Sequence, residues 1–196
     1  MTTFPVLTES LDLLRRVAAG VPAERLSDPT PCEQWTVTQV LFHAAGDQQG
    51  WAACVGSTPF PSYNPFEPPA QLDGPVEQLI EPALATAADV WAEVDPAAES
   101  VPTPLPPVPT LSPELAAAAC ALDAAVHAWD IAVATGQASP LTPELAEQLL
   151  PAARATAEPL RGFAYAPALP DQPGDDAVAT LLHYLGRDPE WQPASR

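Results

Sequence analysis

The chain has 196 residues, of which 47% are hydrophobic and only 16% are charged, so it can bury a sizeable core and is not a disordered protein. Asp and Glu number 25 against 7 basic residues, all of them arginine, and the formal net charge is −18. Binding to nucleic acid or to an anionic membrane depends on clusters of Lys and Arg, so the composition argues against both kinds of partner.

The cysteines and the N-terminal residues indicate in which cellular compartment the protein is expected. Cys32, Cys54 and Cys120 show no Cys-x-x-Cys spacing, which indicates neither a disulfide framework nor a cysteine-rich zinc site. Residues 1–5 contain no basic segment followed by a long apolar run, so no signal peptide is expected. Both observations predict a cytoplasmic protein.

Helical periodicity and helix-end residues predict a chain made of α-helices. Thr36 followed by Gln39 is a capping-box pattern, and similar start and stop signals mark the other helices. The predicted helices lie at about residues 6–19, 36–55, 73–93, 112–135, from 142 onward, and 175–185. The predicted architecture is a single all-α domain, residues 1–196, built as a four-helix bundle with Pro-rich loops and extra C-terminal helices.

Proline is abundant, and its positions are informative. The 27 prolines are expected in loops and at helix starts, where they stiffen the chain without interrupting helices. Residues 57–69 hold 5 of them, and a second proline-rich stretch covers residues 96–109. Pro151 is the exception, and it is expected to kink or divide the helix that begins near residue 142.

The fourth predicted helix contains the most apolar segment of the chain. Residues 115–135 are long enough to cross a membrane, but Asp123, His127 and Asp130 lie within them and no Lys or Arg flanks them. A carboxylate at mid-membrane costs about 2.5–3.5 kcal/mol. The segment is therefore predicted to be a buried helix of a soluble protein.

One face of this helix carries the residues that can do chemistry. At about 100° per residue, Cys120, Asp123, His127 and Asp130 fall on one stripe, and Asp123 lies one turn before His127. A buried carboxylate needs a partner, which here is a protonated histidine, a distant arginine or a metal ion. A simple Asp–His hydrogen bond that supports the core would also explain the pattern. His43, in the second predicted helix, can supply a third ligand.

Four sequence motifs resemble those of a known family. They are Thr-Pro-Cys-Glu-Gln-Trp-Thr-Val at 30–37, Leu-Phe-His-Ala-Ala-Gly at 41–46, Val-His-Ala-Trp-Asp-Ile-Ala-Val-Ala-Thr-Gly at 126–136 and Leu-Leu-His-Tyr-Leu-Gly-Arg-Asp-Pro-Glu-Trp at 181–191. In order and spacing they resemble the DinB-like superfamily, and within it the mycothiol-dependent maleylpyruvate isomerase N-terminal branch. The resemblance implies a four-helix bundle with a divalent metal on a His, Glu, His triad. By position these ligands are His43, Asp123 and His127.

The chain departs from the family pattern at one ligand, because Asp123 stands where the family usually has Glu. The side chain is one methylene shorter and loses about 1.5 Å of reach. Asp123 could then bind through a shifted metal position or through a water molecule, or Asp130 could take its place. Two imidazoles and a carboxylate suit Zn²⁺ or Ni²⁺, and mycothiol is the thiol cofactor that the resemblance suggests.

Several other residues near these motifs are expected to be structural. Cys120 is interpreted as a small buried hydrophobic residue rather than a ligand. Trp129 and Asp130 are expected to pack and to form hydrogen bonds. His183, in the last predicted helix, lies outside any cluster and is interpreted as a structural or surface residue.

The surroundings of the expected pocket can also be predicted. Asp47 and Trp51 lie one and two turns beyond His43 and are expected to line the mouth of the pocket. An anionic substrate would need arginine side chains. The helix-borne candidates are Arg15, Arg16, Arg154 and Arg161.

The leading functional hypothesis is a metal-dependent enzyme that transfers or adds a thiol such as mycothiol, or isomerises a small molecule, with His43, Asp123 and His127 as catalytic and metal-binding residues. Maleylpyruvate itself is not expected as the substrate, since that isomerase carries a further C-terminal domain for which this chain is too short. One alternative is a thiol-independent isomerase, cyclase or lyase of a specialised pathway, with Asp123 and His127 as acid and base. Another is a non-catalytic protein that binds a metal or a small molecule. The expected assembly is a monomer or a homodimer.

Overall fold

The structure is a computed structural model and describes residues 3–193. Residues 1 and 2 of the N-terminal segment, and Arg196, lie outside the described residues. The helices are α1 (Pro5–Ala19), α2 (Val37–Gly56), α3 (Val76–Ala92), α4 (Pro113–Thr135), α5 (Pro143–Thr156) and α6 (Ala177–Tyr184). Short 3-10 helices cover Ala23–Arg25 and Glu158–Leu160, and β1 (Val101–Pro102) pairs antiparallel with β2 (Thr110–Leu111). The prediction of an all-α fold is confirmed, with this small ribbon as an addition.

Helices α1 to α4 form the four-helix bundle. α4 packs against α1 and α2, and α3 packs against the same two helices from the other side. α5 lies against α4 outside this ring, and α6 packs on α5. Apolar residues from all of these helices join in one core. The extra C-terminal helices expected from the sequence are therefore α5 and α6.

Helix α4 lies in the core, and its ends follow the sequence signals. The Ser112 hydroxyl accepts a hydrogen bond from the Leu115 amide at 3.4 Å, and Pro113 occupies the first turn. Gly136 ends the helix with φ +75°. The helix is apolar and long enough to cross a membrane, but 83% of its apolar stretch is buried inside the protein. The apolar surface is thus covered by the other helices, as predicted.

Two prolines lie inside helices. Pro151 is within α5, which continues through it to Thr156, so of the two predicted effects, a kink or a division, the division does not occur. Pro82 lies within α3 in the same way, although the sequence analysis places such prolines in loops and at helix starts. Each ring removes one backbone donor from its helix. The helices persist because the residues around each proline pack into the core, and tertiary packing supplies most helix stability in proteins.

The C-terminal end of α2 differs by one residue from the prediction. Gly56 is the last helical residue instead of the first residue beyond the helix, and Ser57 takes the left-handed position with φ +58°. Gly56 serves close packing: a Cβ atom at this position would lie 2.6 Å from the Val90 side chain. The glycine therefore lets α2 approach α3.

Helices α2 and α4 run antiparallel where they carry the predicted site. His43 of α2 lies beside His127 of α4. Gln48, further along α2, contacts Cys120, which comes earlier on α4. The ionisable stripe of α4 therefore faces a polar stripe of α2.

Candidate metal centre

His43, Asp123 and His127 come together in the structure, although 80 residues of sequence separate the first two. One potential ligand atom of each lies within 4.8 Å of the other two. The two imidazole centroids are 4.8 Å apart, with ring planes at 86°. Both histidines are 7% exposed, so the cluster is largely shielded from solvent without being sealed. The structure thus brings together the three side chains expected to hold a metal ion.

The ring of His43 is held by residues from two loops. Its Nδ1 lies 2.8 Å from the carbonyl oxygen of Pro65, and since a carbonyl only accepts, Nδ1 carries the proton. Trp35 and Phe66 pack beside the ring, with centroids 4.5 and 5.9 Å away. Burial, together with the nearby His127, lowers the pKa of His43 to about 4. At neutral pH His43 is therefore uncharged, and its Nε2 offers a lone pair to the cluster.

The ring of His127 is held by a buried ion pair. Its Nδ1 donates to Oδ2 of Asp130 at 2.9 Å. Arg187 donates from Nε to Oδ1 and from Nη2 to Oδ2 of the same carboxylate, both at 2.9 Å. Burial alone would raise the pKa of Asp130, but the Arg187 charge and the His127 hydrogen bond outweigh it and hold that pKa well below its usual range. The ionised carboxylate orients His127 so that Nε2 faces Asp123.

Arg187 is a residue of the site that the sequence analysis missed. The sequence predicts substrate-binding arginines on helices, whereas Arg187 follows α6, and Arg161 also lies outside a helix, directly after the 3-10 helix Glu158–Leu160. Arg15 and Arg161, two of the predicted arginines, form ion pairs with surface carboxylates instead. The motif at 181–191 contains Arg187, so this motif is the feature of the sequence that could have indicated that Arg187 belongs to the site. Because Asp130 is occupied by Arg187, it is poorly placed to take over as a metal ligand.

Cys32 is a second residue that the sequence analysis did not assign to the site. Its Sγ lies 3.2 Å from Oδ2 of Asp130 and 3.6 Å from Nη2 of Arg187. Cys32, His127 and Asp130 form another group whose potential ligand atoms all lie within 4.8 Å. The loop that carries Cys32 has no helical period, so its sequence position alone does not indicate which helices it faces.

Asp123 is oriented from α2 by the fully buried amide of Gln48. Gln48 Nε2 donates to Oδ2 of Asp123 at 3.1 Å and to the backbone carbonyl of Cys120 at 3.3 Å. Gln48 Oε1 accepts a hydrogen bond from the Cys120 thiol at 3.1 Å. Cys120 is fully buried and uses its thiol in this contact, which fits the structural role predicted for it.

Asp123 and His127 form an ion pair across one turn of α4. Oδ1 of Asp123 lies 3.4 Å from Nε2 of His127. Burial acts against both charges, lowering the pKa of His127 and raising that of Asp123, but the attraction between the two groups outweighs it. The pKa of His127 is therefore raised well above its ordinary value, and that of Asp123 is lowered. Both shifts favour an ionised Asp123 beside a protonated His127 at neutral pH.

Asp47 extends the cluster on the α2 side. Its Oδ2 lies 3.5 Å from Nε2 of His43, and its carboxyl is within hydrogen-bonding range of Asp123. Burial, followed by the negative charge of Asp123, raises the pKa of Asp47 well above its ordinary value. Trp51 does not line the pocket mouth as expected. It is 2% exposed and packs 6.1 Å from Trp91, because a further turn of α2 carries it into the core.

An exposed aromatic pair lies beside His43. Phe66 and Phe163 have ring centroids 5.0 Å apart and are 41% and 63% exposed. Tyr165, from the same segment as Phe163, is near enough to the cluster for its charges to act on the phenol. Burial, and then the charge of Asp123, raise the pKa of Tyr165 to about 12. Aromatic side chains therefore lie next to His43 and close to the cluster.

Two further features lie apart from this cluster. His183 donates from Nδ1 to Oδ2 of Asp175 at 2.8 Å. With Asp171, these residues form a separate group of potential ligand atoms, so the prediction that His183 lies outside any cluster is wrong. A cleft of about 450 Å³ lies between α1 and α3, where Phe4 and Trp91 contribute to its lining.

Residues 7–132 match the family described as the mycothiol maleylpyruvate isomerase N-terminal domain. The chain belongs to this family. Two uncharacterized proteins of Mycobacterium tuberculosis, one from strain CDC 1551 / Oshkosh and one from strain ATCC 25618 / H37Rv, are each 36% identical to it over 180 residues. The match covers 87% of this chain and 91% of each relative. No solved structure matches.

The part that matches the mycothiol maleylpyruvate isomerase N-terminal domain contains most of α1, all of α2 and α3, and most of α4, and with them His43, Asp123 and His127. The four-helix bundle agrees with membership of the DinB-like superfamily. Arg187 and Tyr165 lie beyond residue 132. The ion pair that orients His127 is therefore completed by a segment outside the family match.

Proposed function

We propose that this protein is an enzyme that binds a divalent metal ion, Zn²⁺ or Ni²⁺, through His43, Asp123 and His127. We further propose that it uses the metal to activate a low-molecular-weight thiol, in the first instance mycothiol, for transfer or isomerisation of a small molecule. The observation that carries the proposal is the convergence of three potential ligand atoms within 4.8 Å in a mycothiol maleylpyruvate isomerase N-terminal domain.

The donor set suits such an ion. The Nδ1 atoms of the two imidazoles are engaged by the Pro65 carbonyl and by Asp130, which leaves both Nε2 atoms for a metal. Zn²⁺ and Ni²⁺ both accept imidazole nitrogen and carboxylate oxygen. A bound ion would supply Lewis acidity, which lowers the pKa of a coordinated thiol and polarises a substrate carbonyl.

The surrounding residues hold the metal ligands in position and determine which chemical groups of a substrate can be bound. Gln48 orients Asp123, and Asp130 orients His127. Arg187 reaches the cluster but is already paired with Asp130, so it is poorly placed to bind a carboxylate of the substrate. The exposed pair of Phe66 and Phe163 offers a contact surface for an apolar part of the substrate.

Thiol binding to the cobalt-substituted protein tests this proposal. Mycothiol should produce a sulfur-to-cobalt charge-transfer band in the near ultraviolet, because a thiolate enters the coordination shell. N-acetylcysteine and N-acetylserine form a matched pair of further probes that differ only in sulfur or oxygen. A protein that holds one Co²⁺ per chain but shows no band with saturating mycothiol would contradict the thiol-dependent function.

Acid–base catalysis without a thiol is a second candidate function, as in an isomerase, cyclase or lyase. It is favoured by the Asp123–His127 pair, whose atoms are 3.4 Å apart and whose pKa values are shifted in opposite directions. A chelator-treated preparation with full activity would support this candidate. Metal binding without any response to thiols or substrates would support a non-catalytic metal-binding protein.

We also propose that the protein acts in the cytoplasm on a small molecule, as a monomer or a homodimer, without a nucleic-acid or membrane partner. The net charge of −18 supports the exclusion of polyanionic partners. Burial of α4 within the bundle supports a water-soluble protein.

A further inference from the structure

Helices α2 and α4 contribute matching pairs of side chains to the cluster. On α2, Asp47 follows His43 by 4 residues, and on α4, Asp123 precedes His127 by 4 residues. Nε2 of His43 lies 3.5 Å from Oδ2 of Asp47, and Nε2 of His127 lies 3.4 Å from Oδ1 of Asp123. Because the helices are antiparallel, the two histidines are neighbours and the two carboxylates are neighbours. Asp47 therefore lies beside the triad of His43, Asp123 and His127, at ion-pair distance from one of its histidines.

These separations match those between ligand atoms of one metal ion. Two atoms bound to a tetrahedral zinc at about 2.0–2.2 Å lie roughly 3.3–3.6 Å apart. The His127–Asp123 pair, which belongs to the proposed triad, has this spacing. The His43–Asp47 pair has it equally well.

The surroundings of Asp47 are also those of a ligand. Among the residues that the structure describes, His43 is the basic group that lies within ion-pair distance of Asp47. The Nδ1 atom of His43 is engaged by the Pro65 carbonyl, so Asp47 faces the nitrogen that is available to a metal. A divalent cation between Asp47 and Asp123 would stabilise two like charges that otherwise repel each other.

We propose that Asp47 is a fourth protein ligand of the metal ion held by His43, Asp123 and His127. This inference rests on the proposed function, since it requires a metal ion at the cluster. The centre then has two histidines and two carboxylates, with two ligands from each helix. A tetrahedral ion would have no open position, so a thiol or substrate would enter by displacing the Asp47 carboxylate or by raising the coordination number.

The metal affinity of Asp47→Asn tests the proposal. The substitution keeps the size of the side chain and removes the anionic ligand, so we expect the Kd for Zn²⁺, measured by competition with a chromophoric chelator, to rise at least about tenfold. Asp89→Asn is the matched control, since it removes the same charge from an exposed position on α3. We expect its Kd to stay within about twofold of the wild type, because exposed charges are screened by salt. An unchanged Kd for Asp47→Asn overturns the proposal.

A crystal structure of the zinc-loaded wild-type protein separates ligation from a purely electrostatic effect. We expect a carboxylate oxygen of Asp47 at about 2.0–2.2 Å from the ion. An Asp47 side chain that reaches the ion only through a water molecule overturns the proposal, even if Asp47→Asn binds zinc more weakly.

The fourth-ligand proposal and the proposed function fail in different ways. If wild-type protein binds neither Zn²⁺ nor Ni²⁺, both are overturned. If Asp47→Asn binds Zn²⁺ as tightly as the wild type while Asp123→Asn does not, the fourth-ligand proposal alone is overturned.

Discussion

Arg187 and Asp130 are joined by two hydrogen bonds across 57 positions of sequence, from Nε to Oδ1 and from Nη2 to Oδ2, each 2.9 Å long. Their side chains are 11% and 0% exposed. The same carboxylate accepts a hydrogen bond from Nδ1 of His127. A residue that follows α6 therefore determines how an imidazole in α4 is oriented.

Loss of Arg187 should destabilise the fold. We expect Arg187→Ala to lower the free energy of unfolding by about 3–5 kcal/mol, because it leaves the Asp130 carboxylate buried without its counter-ion. Urea unfolding of the metal-free protein measures the change. Arg15→Ala is the control, since Arg15 pairs with partly exposed Asp12 and Glu81, and its loss should cost about 0–1 kcal/mol. Equal and small effects of the two substitutions would contradict this account of Arg187.

The histidines of the cluster should determine metal content. We expect wild-type protein to contain close to one equivalent of Zn²⁺ or Ni²⁺, and His43→Ala or His127→Ala to contain none, because each removes an imidazole ligand. Elemental analysis of the purified proteins is the measurement. His183→Ala should keep its metal, since its ring pairs with Asp175 away from the cluster. Equal loss of metal from His183→Ala would mean that the effect is not specific to the cluster.

Asp123→Asn should weaken metal binding while preserving the shape of the side chain. We expect metal affinity to fall at least about tenfold and the metal-linked rise in Tm to disappear. Calorimetric titration and thermal unfolding with and without Zn²⁺ measure the two effects. Metal content and Tm equal to those of the wild type would show that Asp123 is not a ligand.

The two histidines should titrate on opposite sides of their ordinary pKa of 6.5 in the metal-free protein. Burial and the neighbouring His127 lower the pKa of His43 to about 4. Burial also opposes the charge of His127, but Asp123 outweighs it and raises the pKa of His127. NMR titration of the imidazole signals should show His43 titrating near pH 4 and His127 protonated well above pH 6.5. Two histidines with the same ordinary pKa would contradict the geometry of the cluster.

These shifts give opposite pH dependences of stability. His127 binds its proton more tightly in the folded protein, so its contribution is complete below pH 6.5 and is lost as the pH rises through the folded-state pKa. The contribution of His43 is complete above pH 6.5 and is lost as the pH falls towards 4. The difference in unfolding free energy between wild type and His127→Gln should therefore shrink at high pH. The corresponding difference for His43→Gln should shrink at low pH, and two parallel pH profiles would contradict this expectation.

The helices could be predicted from the sequence because their signals are local. Ser112 and Thr142 each accept a hydrogen bond from a backbone amide 3 residues later, so a short stretch of sequence is enough to locate the start of a helix. The prediction that Asp123 and His127 share one face of α4 likewise needs helical spacing alone. His43 required a comparison between two helices and the resemblance to a family.

The outer parts of the site could not be predicted in this way. Cys32, Pro65 and Arg187 reach the cluster from loops, and their positions depend on the path of the chain between helices rather than on periodicity. Pro151 is a different case, because its local sequence strongly predicts an interruption of the helix. The buried neighbours of Pro151 in α5 nevertheless hold the helix together.

The position of Arg187 in the chain also sets an order of events during protein synthesis. The N-terminal part of a protein leaves the ribosome first, so α1 to α4 emerge before residue 187 has been added. At that stage Asp130 lacks its guanidinium partner, and the carboxylate that orients the His127 ring is not yet held in place by an ion pair. The growing bundle can collapse around its alanine-rich helix α4 at that stage, but the buried ion pair between Asp130 and Arg187 forms only after residue 187 has been added.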